Sequence, residues 1–316
     1  MFFPSAYFRA KARDALKGHW QTALLIALVV SLPSLLAQAI TTFTGNDPLT
    51  RIQNVYLAAS RDGVFTPMLL QQEIESYIHG SGFLLAVILS VAAFVITPCL
   101  TLGMYRWMLG RLRGSDEPVS TVFCRVRLFL KALGLHLLII LRVFLWMLPG
   151  LLAFSASLIP VMQAGSDAAR LTAAIRVSNY LTFPLLLATL VPGIMAALRY
   201  AMAEFIMADE PETGILDAIR RSKQHMREMK RMLFSLMLSF FLWYMLIMVV
   251  ASMLASGTGT LSLVVQMLGS LALTVYVAAS EAAFFLETMP GKIPKRDPAA
   301  GAPMRNDPPE EPESLN

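Results

Sequence analysis

The 316-residue chain is 56% hydrophobic and only 15% charged, against about 25% charged for an average soluble protein, and its mean hydropathy is +0.60. That balance excludes an ordinary soluble domain and indicates a membrane protein. The net charge of +5 does not indicate nucleic acid, because Lys and Arg cluster beside apolar runs; the lipid bilayer and its anionic headgroups are the partners it implies.

In chain order, residues 1–20 form a basic amphipathic helix with Phe8, Ala12 and Leu16 on one face against Arg9, Arg13 and Lys17. A membrane domain follows over residues 21–288. Crossing about 30 Å of hydrocarbon takes about 20 apolar residues. Six uncharged runs meet that length: Gln21 to Thr42, Phe83 to Tyr105, Val143 to Gln163, Val177 to Leu198, Met232 to Ala255 and Leu261 to Ser280. Ala37-Gln38-Ala39 imitates a signal-peptide cleavage site, but the long amphipathic lead and the uncharged run to Asn46 favour retention. In the loop at 44–82, Leu70, Ile74 and Ile78 recur every four residues, which predicts a short helix on the outer membrane surface. Ser256–Thr260 suits a tight turn, so spans five and six are expected as antiparallel neighbours. From residue 289 to 316 the chain is polar, with seven prolines, and is expected to be disordered.

The connections before span one, after spans two and four, and after span six carry twenty basic residues, and the alternate connections carry four. This asymmetry predicts both termini in the cytoplasm. The fold expected is therefore an all-α polytopic bundle of six transmembrane helices.

Ionisable residues near the hydrocarbon are costly and are functional candidates by default. At 1.5 Å per residue, Arg142, Arg199 and Glu281 each lie about 30 Å from the outer ends of their spans, with Glu204 and Glu287 one or two turns beyond and Arg106 in the matching place on span two. Two readings stand: these charges mark where helices leave lipid, or Arg142 or Arg199 pairs with Glu281 or Glu204 as the polar floor of a cavity. Such a cavity would be lined by spans three, four and six. Pro149, Pro184 and Pro192 are read as tolerated bends. Ala278, Ala279, Ala282 and Ala283 bring small residues to four-residue spacing around Glu281, which predicts a central position for span six.

No phosphate loop, HExxH, GxSxG or dinucleotide fingerprint occurs. Cys99 and Cys124 read as ordinary buried or interfacial thiols, His136 as an interhelical hydrogen bonder, and no metal or cofactor site is expected. Asp209-Glu210-Pro211-Glu212 reads as a negative helix start capped by Thr213 or Asp209. The basic amphipathic helix that follows, about 213–230, sets Ile215, Ile219, Ser222 and Met226 on one face and reads as bound to the membrane surface.

ADEPETGILDAIRRSKQHM with LSFFLW, the upstream PGIMAALRYAMA, and ARDALKGHW before span one resemble a bacterial family of integral membrane proteins, the domain of unknown function nine-seven-five. The chain is more loosely similar to membrane domains attached to glycerophosphodiester phosphodiesterases. The resemblance covers most of the chain through Glu287 and implies a bacterial inner-membrane protein; it carries over no catalytic or ligand residue. Ala196 and Arg199 depart from the family pattern, and residues 150 to 185 look like extra hydrophobic length, leaving four to six crossings open. The leading reading is a non-enzymatic protein acting through lipid or protein contacts in envelope maintenance. The alternative is a small transporter or lipid-handling protein with a cavity above the polar layer; a membrane enzyme comes third.

Overall fold

The computed structural model describes residues 4–43, 75–79, 83–115, 118–157, 159–163, 168–255 and 259–289. Its elements are α1 (Ser5–Leu16), α2 (Trp20–Phe43), α3 (Phe83–Leu112), a 3-10 helix (Val119–Leu128), α4 (Phe129–Ser157), α5 (Ile159–Gln163), α6 (Ala168–Tyr200), α7 (Ala203–Asp209), α8 (Ile215–Ala255) and α9 (Gly259–Thr288). Among the described residues there is no strand, and six helices are long and apolar enough to cross a membrane: α2, α3, α4, α6, α8 and α9. The tail after residue 289, most of the 44–82 loop and residues 256–258 of the hairpin turn lie outside the described residues.

The spans pair as three hairpins, α2 with α3, α4 with α6, and α8 with α9. A short amphipathic segment precedes each hairpin: α1, the 3-10 helix and the first turns of α8. Each segment packs on the return helix of another hairpin. The 3-10 helix lies on α3, the start of α8 on α6 and α7, and α1 on α9, which closes the ring between the two ends of the chain. The reason is the same in each case. A half-apolar helix at a membrane boundary must bury its stripe, and the small-residue ends of the return helices offer a groove. Gly103 on α3 has no Cβ because one would strike the backbone of Val122 in the 3-10 helix.

The α1 closure is the most explicit. Phe8, Ala12 and Leu16 are fully buried, with the Phe8 ring 5.3 Å from that of Phe284 on α9. Tyr276 donates its hydroxyl to the Arg9 carbonyl at 3.2 Å, and Tyr7 and Lys11 both reach the Glu287 carboxylate. Burial, then the Glu287 hydrogen bond and charge, push the Tyr7 hydroxyl above its ordinary pKa.

Packing is uneven along the bundle. The core gathers at the basic end: Leu102, Trp107 and Met108 of α3, Phe205 and Ile206 of α7, Leu233 and Leu236 of α8, and Ala279, Ala282, Ala283, Phe284 and Phe285 of α9 are all buried. Toward the far end the hairpins separate, leaving Leu84, Leu145, Phe183, Leu242 and Met253 exposed, among many others. Such faces fit hydrocarbon rather than water. α9 is the most buried of the six spans, and the four alanines around Glu281 are what let its neighbours approach.

Several helix limits differ from the sequence reading. Span three begins at Phe129 rather than Val143, so Arg142 sits within α4; span four runs from Ala168 as α6; and the basic helix after Gly214 is continuous with span five as α8. Amphipathic turns carry no helix-breaking signal at the membrane boundary, so hydrophobicity falls there while the helix continues. α4 and α6 run through Pro149, Pro184 and Pro192 without ending. They meet at Gly150, where a Cβ would collide with Thr189, and at Gly193 against Met147. Gly150→Ala is therefore expected to cost about 1–3 kcal/mol through overpacking, read as a lower melting temperature in detergent. Gly214→Ala, whose nearest neighbour would be Asp217 Oδ2 at 3.7 Å, should leave that temperature unchanged.

Candidate functional site

The structure separates the two arginines from the two glutamates named as a candidate polar floor. Arg142 of α4 lies over the Tyr200 ring, 5.8 Å from its centroid, and Arg199 of α6 lies over the Trp146 ring at 4.8 Å. The two form a reciprocal clasp across the α4/α6 hairpin, each cation held by an aromatic face. Among the described residues neither makes an ion pair with Glu204 or Glu281, so the second of the two readings, a pairing of these arginines with these glutamates, is not formed. The hairpin that carries the arginines packs on α8 and α3, whereas Glu281 belongs to α9.

Glu204 on α7 accepts from His136 on α4, Nδ1 to Oε1 3.1 Å, when the ring proton is on Nδ1. His136 is thus an interhelical bond that ties the second hairpin to the core. Beside it α3, α7 and α9 meet in an aromatic stack: Tyr105 against Phe205 at 4.1 Å, and Phe205 against Phe285 at 5.8 Å. Glu204 and Glu281 lie within electrostatic reach of each other and of the Tyr105 hydroxyl.

Glu281 is the residue left with work to do. Its carboxylate lines the floor of a 340 Å³ cleft between α3, α8 and α9, walled by Met104, Met237, Phe240 and Tyr244, with Ser270 and Thr274 further along α9. The cleft therefore uses spans two, five and six, not the expected three, four and six. No cationic side chain lines it, and among the described residues Glu281 makes no ion pair. Isolating a carboxylate in apolar surroundings is costly, so such a group calls for a counter-charge or a proton.

Gln266, Ser270, Thr274 and Glu281 fall at spacings of four, four and seven residues, which places them on one stripe of α9 about 22 Å long. The first three also line a second cleft of 350 Å³ between α2 and α9, with Ser31 and Gln38 opposite. Polar groups thus recur along α9 from the far end of the bundle to Glu281. The stripe was readable in the sequence as three polar residues at four-residue spacing inside an apolar span. Its partners on α3 and α8 were not.

Other predicted features find structural roles. Asp209 accepts from Arg113 at 2.7 Å and lies 3.9 Å from Arg106; Glu210 accepts from Arg221 at 2.7 Å. Lys131 donates to the Pro211 carbonyl at 3.1 Å. These acids are cross-links between the basic segments rather than helix caps, and the acidic residue in the first turn of α8 is Asp217. The apolar face at the start of α8, read as a membrane-surface face, packs inside the protein instead: Ile219, Ser222 and Met226 are buried in its core, with Ser222 donating to the Arg199 carbonyl at 3.0 Å. Its basic residues Arg220, Arg221 and Lys223 remain exposed. Cys99 is buried in α3. Among the described residues no group of three or more His, Cys, Asp or Glu side chains is placed to hold a metal.

Comparison with curated proteins and with solved structures gives no match. The family model described as "Protein of unknown function (DUF975)" matches residues 3–289, nearly the whole chain. The span of that match and the six-helix membrane fold agree: this chain belongs to the DUF975 family of proteins of unknown function.

Proposed function

We propose that this multi-pass protein is a non-enzymatic, lipid-handling component of the bacterial inner membrane, with its basic end in the cytoplasm, and that it serves envelope maintenance. The cleft at Glu281 holds the headgroup of an amine-bearing lipid. The observation that carries this reading is the Glu281 carboxylate, which makes no ion pair among the described residues, in a largely apolar cleft between α3, α8 and α9. An ammonium headgroup supplies the missing counter-charge, while its acyl chains stay in the bilayer against Phe240, Phe241 and Val277. The α9 stripe gives the headgroup hydrogen-bonding partners along its way from the far leaflet. The orientation follows from the twenty-to-four division of basic residues.

Native mass spectrometry of the detergent-purified protein tests the reading. Phosphatidylethanolamine should be retained as a discrete adduct and diacylglycerol, which lacks the amine and phosphate, should not. Equal retention of both, or of neither, rejects a headgroup site.

A further inference from the structure

A second surface feature has the opposite charge and lies nearer the start of α8. A 720 Å³ groove runs between the last turns of α6 and the boundary region of α8. One wall is apolar and exposed: Val191, Ile194 and Met195 of α6, with Phe234 of α8 beneath. The rim carries Arg227, Lys230 and Arg231, one turn of α8, together with a single carboxylate, Glu228. None of the three cations makes an ion pair among the described residues, in contrast to Arg113 and Arg221, which are held by Asp209 and Glu210. Arg231 immediately precedes the uncharged run that opens at Met232, so the cations stand at the edge of the hydrocarbon and the apolar wall lies within it.

We propose that this groove is a binding site for an anionic diacyl phospholipid, its phosphate held by Arg227, Lys230 and Arg231 and one acyl chain laid along α6. Charge complementarity selects the ligand. The rim has a net charge of two positive, which excludes a cationic amphiphile and disfavours a neutral one. The apolar wall distinguishes a lipid from a soluble phosphate, since Val191 to Met195 gain nothing from an ion that has no chain. The site is independent of the Glu281 cleft in residues, charge and ligand.

The test measures phosphatidylglycerol retained by the full-length protein in neutral detergent, using native mass spectrometry with titrated lipid. The wild type should bind phosphatidylglycerol in preference to phosphatidylcholine, and less tightly as salt rises. Basic residues near an anionic lipid surface contribute about fivefold each. The triple variant Arg227→Ala/Lys230→Ala/Arg231→Ala should therefore lose about a hundredfold in affinity. Arg220→Ala/Lys223→Ala, on the exposed part of the same helix, should lose little. Ile194→Ser/Met195→Ser should weaken lipid binding while leaving the charge unchanged. No preference over phosphatidylcholine, equal loss in the two basic variants, or full displacement of the lipid by inorganic phosphate or an acidic peptide would overturn the assignment. Retention of phosphatidylethanolamine through Glu281 is a separate readout, so either site can fail alone.

Discussion

Glu281→Leu is expected to abolish retention of an amine-bearing lipid in the α3/α8/α9 cleft while leaving the protein folded and at least as resistant to heat. Two opposing costs meet at this position. Leucine removes a carboxylate whose desolvation opposes folding, and so relieves the bundle; it also removes the one anionic group on the cleft floor, and so removes the reason for an ammonium to bind. A stability gain with a binding loss is the signature of a functional residue held at structural cost. Glu281→Gln keeps the shape and a hydrogen-bond acceptor but not the charge, and should lose at least about tenfold in affinity, equivalent to about 1.4 kcal/mol. Glu287→Gln should behave in reverse, because Glu287 is engaged by Tyr7 and Lys11 at the α1 closure: lipid retention is kept and stability falls. Lipid-adduct occupancy and melting temperature measured on the three variants separate these outcomes. Loss of stability in Glu281→Leu with unchanged lipid retention would make Glu281 a structural residue.

Phe8→Ala should have the largest effect on stability, about 3–5 kcal/mol. Phe8 is fully buried, it fills the contact with Phe284, and its helix is what joins the first segment of the chain to the last span. Losing it leaves a cavity that α1 cannot close alone, since a helix of twelve residues is marginal without tertiary packing. Trypsin then gains access to Arg9, Lys11 and Arg13, so limited proteolysis should cut α1 in the variant under conditions that leave the wild type intact. Tyr7→Phe, which removes one hydrogen bond at a partly exposed site, should cost only about 1 kcal/mol. Equal protease resistance of wild type and Phe8→Ala would show that α1 is not a structural closure.

The legible part of this fold is the part written along single helices. Uncharged runs longer than about 20 residues marked all six spans, and the stripe of Phe8, Ala12 and Leu16 marked the buried face of α1 because one helical face is readable from spacing alone. Depth was readable in the same way. Arg142 and Arg199 sit at one level of a single hairpin, each over an aromatic ring of the partner helix. Which helix stands beside which was not readable. Rise per residue gives height and says nothing about lateral neighbours, so a pairing of Glu281 with Arg142 or Arg199 stood open as one of two readings, while the arginines belong to another hairpin. The acids at 209 and 210 were misread for a related reason: local spacing suggested a helix start, while their partners Arg113 and Arg221 are brought in by tertiary packing. The cleft combines the two cases. Its carboxylate and the stripe of Gln266, Ser270 and Thr274 lie on one helix, and its aromatic and methionine walls come from two others.

The uneven packing connects these features to the proposed role. A fused core at the basic end holds Glu281, Tyr105 and the aromatic stack in fixed relation, while the hairpins diverge beyond it and leave clefts that lipid can enter without unfolding anything. Rigid floor and open walls suit a site that must hold a headgroup and release it.

Cryo-electron microscopy of the protein in nanodiscs containing phosphatidylethanolamine tests the central claim most directly. The account predicts lipid density entering between α8 and α9 with its headgroup within hydrogen-bonding distance of the Glu281 carboxylate, and an empty floor in Glu281→Leu. A cleft closed by contact of α3, α8 and α9, or filled by acyl chains alone with no polar group at Glu281, would contradict it.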